Sequence, residues 1–184
     1  MPNHEQLAAM AEACGFTHSA PLDISTLDFM QEVRDMCNAK QCDKYNTSWS
    51  CPPACASLED MRKRVLEYSD GFLVQTVGEL EDSYDWEGIM EAGARHKTNF
   101  GRMWDELEKQ YPSVFAMGAG ACRICENCTY PDAPCRFPTR LSASMEACGL
   151  FVSKVCTDNG LAYNYGQDKI AFTSCFLVNH AADI

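Results

Sequence analysis

Cys122, Cys125, Cys128 and Cys135 follow one another at C-x2-C-x2-C-x6-C, and Pro138 comes shortly after the last. Three thiols at successive two-residue gaps let one tight stretch of backbone wrap a cubane, and a fourth closes the cage from further along. Bacterial ferredoxins use a related C-x2-C-x2-C run with a nearby Cys-Pro, although there the fourth cysteine ligates a different cluster. Spacing alone therefore leaves open whether each group of four serves one cluster. Zinc is the rival, but structural zinc favours two separated C-x2-C knuckles, and a third cysteine at once crowds a single-ion site. A cubane with its thiolates carries a charge of about −2. Arg123, Arg136 and Arg140 stand close enough in sequence to offset it, unless they are ordinary surface arginines.

A second group lies upstream: Cys37, Cys42, Cys51 and Cys55, at C-x4-C-x8-C-P-P-x-C. Alone this spacing is less diagnostic. Pro52 and Pro53 fix the backbone beside Cys51 and remove competing amide donors, which suits a ligand that must hold its direction. Cys55 is the member whose absence from the ligand set would leave one iron open to water or substrate, turning a carrier into a catalyst. Tyr45, Trp49 and Tyr130 either shield the metal or anchor the loops.

The chain has 184 residues, 46% of them apolar, and a formal net charge of −11. That is enough for one compact domain spanning 1–184 with a real core. The acid excess repels phosphate backbones, so nucleic acid is not an expected partner; such a face either suits docking onto a basic protein or serves only solubility. The first residues, Met1 to Gln6, have no basic run or long apolar run, so neither a signal peptide nor a membrane span is expected. In a reducing cytoplasm, a count of 12 cysteines points to metal or redox chemistry and not to disulfides. Cys14, Cys148, Cys156 and Cys175 sit in apolar stretches and read as buried small hydrophobes. His4, His18, His96 and His180 form no metal-binding pattern.

The elements that must position these groups follow from periodicity. Residues 4–14 read as a helix stopped by Gly15, and 18–24 as extended. Ser25 or Thr26 is expected to cap a helix reaching Cys37. The Pro-rich, polar stretch 38–56 is a loop, and Ser57 with Asp60 opens a helix to about Tyr68. Residues 71–77 are a strand. Residues 85–111 form the longest helix, its stripe running through Trp86, Ile89, Met90, Gly93, Phe100, Trp104, Leu107 and Tyr111. A strand over 113–117 leads into a second cysteine loop, 118–139. There, Gly118 and Gly120 are expected to let backbone approach the cluster sulfurs. They make no dinucleotide fingerprint, since Arg123 stands where a third glycine would be. Ser142 is expected to cap a short helix ending at Cys148-Gly149, with strands near 161–165 and 170–178. Residues 12–16 and 146–150 echo one another, Glu-Ala-Cys-Gly followed by Phe or Leu. A shared helix-end turn explains that more simply than a duplication. Interleaved helices and strands give an α/β or α+β fold with a small sheet and two irregular cysteine loops.

Two segments together resemble a known family. Cys37, Cys42, Tyr45 and Trp49-Ser50-Cys51-Pro52-Pro53 make up the first. The second runs through Gly118-Ala119-Gly120, Cys122-Arg123, Cys125, Cys128, Pro131, Pro134-Cys135-Arg136-Phe137-Pro138 and Ser144-Met145-Glu146-Ala147 to Gly149. This combination is similar to a family of predicted metal-binding proteins found largely in anaerobic bacteria and archaea. The chain departs from the family pattern at Cys148, where an aromatic is more usual. The resemblance implies metal held by these cysteines, as iron–sulfur clusters in an anaerobic setting, and supplies no reaction. The leading expectation is a cytoplasmic protein with two clusters of the 4Fe–4S type. It would act in electron transfer, or as a redox subunit of an oxidoreductase, with a protein redox partner. The alternatives are an enzyme using an open iron on a small molecule, and a protein binding zinc.

Overall fold

The computed structural model describes residues 4–179, so His180 and the first three residues lie outside the described residues. Its elements are α1 (His4–Cys14), β1 (His18–Leu22), α2 (Gln31–Asp35), α3 (Leu58–Val65), β2 (Asp70–Glu79), α4 (Trp86–Glu108), β3 (Ser113–Met117), α5 (Val152–Asp158) and β4 (Lys169–Asn179). The strands form one sheet in the order β1-β2-β4-β3, and every pairing is antiparallel. The fold is therefore α+β.

Alternation along the strands divides the core in two. Phe72 and Val74 of β2, Ala116 of β3 and Phe176 and Val178 of β4 pack with α1 and α4, through Leu7, Ala11, Met103, Trp104 and Leu107. Leu73, Met117, Cys175 and Leu177 face the other way, onto α3, α5 and the segment 143–150. Cys148, Cys156 and Cys175 are fully buried there, and Cys14 is buried under α1, as expected of small hydrophobes.

The helix ends follow local chemistry. The Ser57 hydroxyl accepts from the amide of Asp60 at 3.1 Å and opens α3. The Asp85 carboxylate accepts from the amide of Gly88 at 2.9 Å and opens α4. The two echoes make the same turn. Gly15 and Gly149 sit at φ of +99° and +79°. Their amides reach the carbonyls of Glu12 and Glu146 at 2.9 Å each. The following amides, of Phe16 and Leu150, close onto Ala11 and Met145 at 3.1 and 2.9 Å. This is a Schellman closure, which only glycine makes without strain. At Gly149 a Cβ would lie 2.4 Å from Leu58 Cδ1 and 3.0 Å from the Met30 carbonyl.

Four expectations are corrected. Neither Ser25 nor Thr26 caps a long helix: Asp23 caps a single 3-10 turn, and the chain extends through Leu27 before the short α2. The extension lets Phe29 pair with Leu150, and the Met30 amide reach the Gly149 carbonyl at 2.8 Å. Residues 142–149 form turns and not a helix, because Ser144 pairs with Gly118 instead. The helix of this region is α5, and 161–165 is not a strand. The stripe of α4 holds at Trp104 and Leu107, which are buried, but the stretch before them is rotated: Ala92, His96, Asn99 and Met103 are buried, while Trp86 and Met90 are exposed.

A polar cluster explains the rotation. His96 is buried, with Nδ1 3.0 Å from Thr76 Oγ1 and Nε2 2.8 Å from Ser174 Oγ. Asn99 beside it donates to the Gly15 carbonyl at 2.8 Å. Burial holds the His96 imidazole at a pKa of about 4 against an ordinary 6.5. The neutral ring's full contribution to stability is present above pH 6.5, and it is lost as pH falls toward 4. Across that window the wild type should lose about 1.4 kcal/mol per pH unit from this residue, near 3 kcal/mol in all. Urea unfolding of wild type and His96→Gln at several pH values should give curves that diverge by that slope. Parallel curves would show that the imidazole is not held neutral.

Candidate metal centre

Both cysteine groups lie on irregular backbone beside the face of the sheet that carries Cys175. β3 ends at Met117 and delivers the second loop, where Gly118 pairs with the 143–145 segment through its amide to Ala143 at 2.9 Å. Gly118 therefore serves this pairing, and Gly120 makes a turn at φ +86° with open space around it. Cys122, Cys125, Cys128 and Cys135 then line one narrow hollow with free room of about 20 Å³. Cys128 is exposed and the other three are half-buried. Cys135, the member whose assignment spacing left open, faces the same space as the other three.

The first loop forms the other wall of that hollow, through Ser48, Trp49 and Ser50. Its hold on the second loop is polar and aromatic. Trp49 Nε1 donates to the Ala133 carbonyl at 3.0 Å, and the Trp49 and Tyr130 rings meet edge to face at 4.9 Å. The Tyr130 hydroxyl donates to Asn46 Oδ1. The Cys122 amide donates to the Ser50 hydroxyl at 3.0 Å. Trp49 and Tyr130 therefore act as loop anchors.

Of the first four cysteines, two share a cleft. Burial and the neighbouring sulfurs of Cys42, Cys51 and Cys55, with the carboxylate of Glu146, push the Cys37 thiol up to about 11. Cys51 and Cys55 are buried, and Cys37 and Cys42 are half-buried. Cys37 and Cys55 open onto a wide cleft of about 470 Å³, which Gln31, Arg34, Asn38 and Tyr45 also line. Burial raises the Cys55 thiol, and Arg34 works against that. Arg34 Nη2 lies 3.4 Å from Cys55 Sγ, while Nη1 donates to the Ala147 carbonyl at 2.6 Å.

Among the described residues no three His, Cys, Asp or Glu side chains are drawn around a single-ion position. The donor set, eight free thiols and no histidine, fits thiolate ligation of metal, as a cluster or as zinc.

The arginines divide. Arg136 lines the hollow and donates to the Asn127 carbonyl at 2.8 Å. Arg123 acts on Asp43 across the two loops. Arg140 is taken up elsewhere, by Asp105 at 2.6 Å and Glu108 at 3.3 Å, with its guanidinium over Trp104. Sequence reasoning missed Ser50 and the contact of Arg34 with Cys55. Ser50 has no periodic signal. Arg34 looked like one more position on a helix stripe.

The profile of one family, Predicted metal-binding protein (DUF2284), matches residues 20–178. No curated protein and no solved structure matches the chain. Among the described residues no helix is long and apolar enough to cross a membrane.

Arg34 joins α2, Cys55 and the 147 turn through one guanidinium. Arg34→Ala should lower stability by about 2 kcal/mol, since it leaves a carbonyl and a buried sulfur without their donor. Arg34→Lys should not rescue it, because one ammonium cannot replace the planar fork. Urea denaturation of the three chains checks this, and a lysine variant as stable as wild type would contradict it.

Proposed function

The chain belongs to this predicted metal-binding family, and from that premise we propose that it is an iron–sulfur protein whose two cysteine loops hold two clusters of the 4Fe–4S type. The observation that supports this reading is that Cys122, Cys125, Cys128 and Cys135 all border one hollow, while Cys37 and Cys55 open onto a neighbouring cleft. Cys122, Cys125, Cys128 and Cys135 would hold one cluster, and Cys37, Cys42, Cys51 and Cys55 the other. When bound, such clusters supply reversible one-electron transfer.

The residues around the thiols suit that use. Trp49 and Tyr130 fix the distance between the loops, and Arg136 places positive charge beside the second site. Ser50 and Ser48 are buried polar groups at the seam. The role is electron transfer, or that of a small redox subunit, in the cytoplasm, where twelve unpaired thiols stay reduced. The net charge of −11 favours a basic protein as the redox partner.

The cleft over Cys37 and Cys55 favours a second reading. There the first site works on a small molecule, as in a reductase, desulfurase or dehydratase.

Anaerobic purification should give a brown protein with about eight irons and eight sulfides per chain and low-temperature EPR signals after reduction. Cys125→Ser and Cys42→Ser should each remove about half of the iron, from different sites. A colourless chain carrying zinc and no iron would overturn the proposal.

A further inference from the structure

We propose that Ser50 is the junction through which each cysteine site senses the state of the other, a role that rests on reading both loops as cluster sites. Ser50 is fully buried, at 0% exposure. Its hydroxyl oxygen lies 3.8 Å from Cys51 Sγ, 3.0 Å from Ser48 Oγ and 3.0 Å from the Cys122 amide nitrogen. One side chain therefore touches a ligand residue of each site, although the two are 71 positions apart in sequence by their numbers, 51 and 122.

A serine hydroxyl donates one hydrogen bond and accepts two. The Cys122 N–H must donate, so it takes one acceptor position. Ser48 fills the other if its own proton points to Ser50. The Ser50 proton is then aimed at the Cys51 sulfur. Every group is satisfied in this arrangement when that sulfur is an acceptor, as a metal-bound thiolate is.

The consequence is a two-bond relay. Charge added at the first site strengthens the O–H···S bond and polarises the hydroxyl. A polarised hydroxyl is a better acceptor, so it draws harder on the Cys122 amide, as chained hydrogen bonds do in a water-poor setting. That amide belongs to the first ligand residue of the second site. Hydrogen bonds to cluster sulfur and its surroundings are among the determinants of reduction potential. Ser50 is therefore a positioning residue that acts on both potentials at once. Ser48 orients the relay from outside it.

Anaerobically purified wild type, Ser50→Ala and Ser48→Ala should be compared by iron and sulfide analysis and by EPR-monitored redox titration. Ser50→Ala should keep the wild-type iron and sulfide and shift the midpoints of both sites, that of the first site downward because it loses a donor to sulfur. In deuterated buffer it should also lack one exchangeable-proton coupling at the first site. Ser48→Ala should shift both midpoints less. If Ser50→Ala does not load, Cys125→Ser carries the test: emptying the second site should alter the EPR signal of the first, and an unaltered signal overturns the relay. A wild type without iron and sulfide ends the cluster reading itself. A loaded Ser50→Ala that shifts one site alone, or neither, or that keeps the exchangeable coupling, ends this inference only.

Discussion

Thiols bind metal as thiolates, and burial opposes the loss of their protons. At Cys37 burial first, then the neighbouring sulfurs and the Glu146 carboxylate, raise the thiol. Arg34 works the other way on Cys55. A cationic metal would supply the positive charge that lets such thiols ionise. Everything else in the site serves to bring the sulfurs to that point. A straight helix would set thiols at i, i+3 and i+6 in a row along one face and not around a core, and irregular backbone carries them instead.

The loops therefore hold one another. Neither has a hydrophobic interior of its own, and their contacts are Trp49 to Ala133, Trp49 to Tyr130, Tyr130 to Asn46 and Cys122 to Ser50. The sheet fixes only their ends. β3 sets the start of one, and α3 the end of the other. Beneath them the 143–150 turns connect both, pairing with Gly118 on one side and accepting Met30 and Arg34 on the other. A molecule built this way has its regular elements under the site and its chemistry in the irregular layer, as sites on loops over a rigid scaffold usually are.

That division decides what was legible beforehand. Cysteine spacing, the α1 stop at Gly15, the cap at Ser57 and the long apolar strand β4 are local signals, and each survives into the structure. The stripe of α4 was legible at Trp104 and Leu107 but misread before them, because His96 and Asn99 count as polar, yet they face inward to meet Thr76, Ser174 and Gly15. Tertiary partners outweighed hydropathy there. The helix expected after Ser142 lost its residues to pairing with Gly118, a contact no local window contains. α5 was not anticipated at all, and its neighbour Leu161 packs without a strand around it. Ser50 was unreadable for a similar reason: a buried serine between Trp and Cys carries no period, and its second partner is far along the chain.

Charge placement bears on how a partner meets such a molecule. The long helix α4 and the end of β2 expose Glu79, Glu81, Asp82, Glu87, Glu91, Asp105 and Glu108. The cysteine loops, by contrast, carry Lys40, Lys44, Arg123 and Arg136 against Asp43, Glu126 and Asp132. Arg140, which the sequence offered to the second site, instead tethers the end of that loop to α4 through Asp105 and Glu108. The net charge of −11 therefore comes from outside the two loops, whose own charges are near balance. On the proposed reading, this leaves the loops' cations free to offset charge at the thiols while the rest of the surface carries the acid excess.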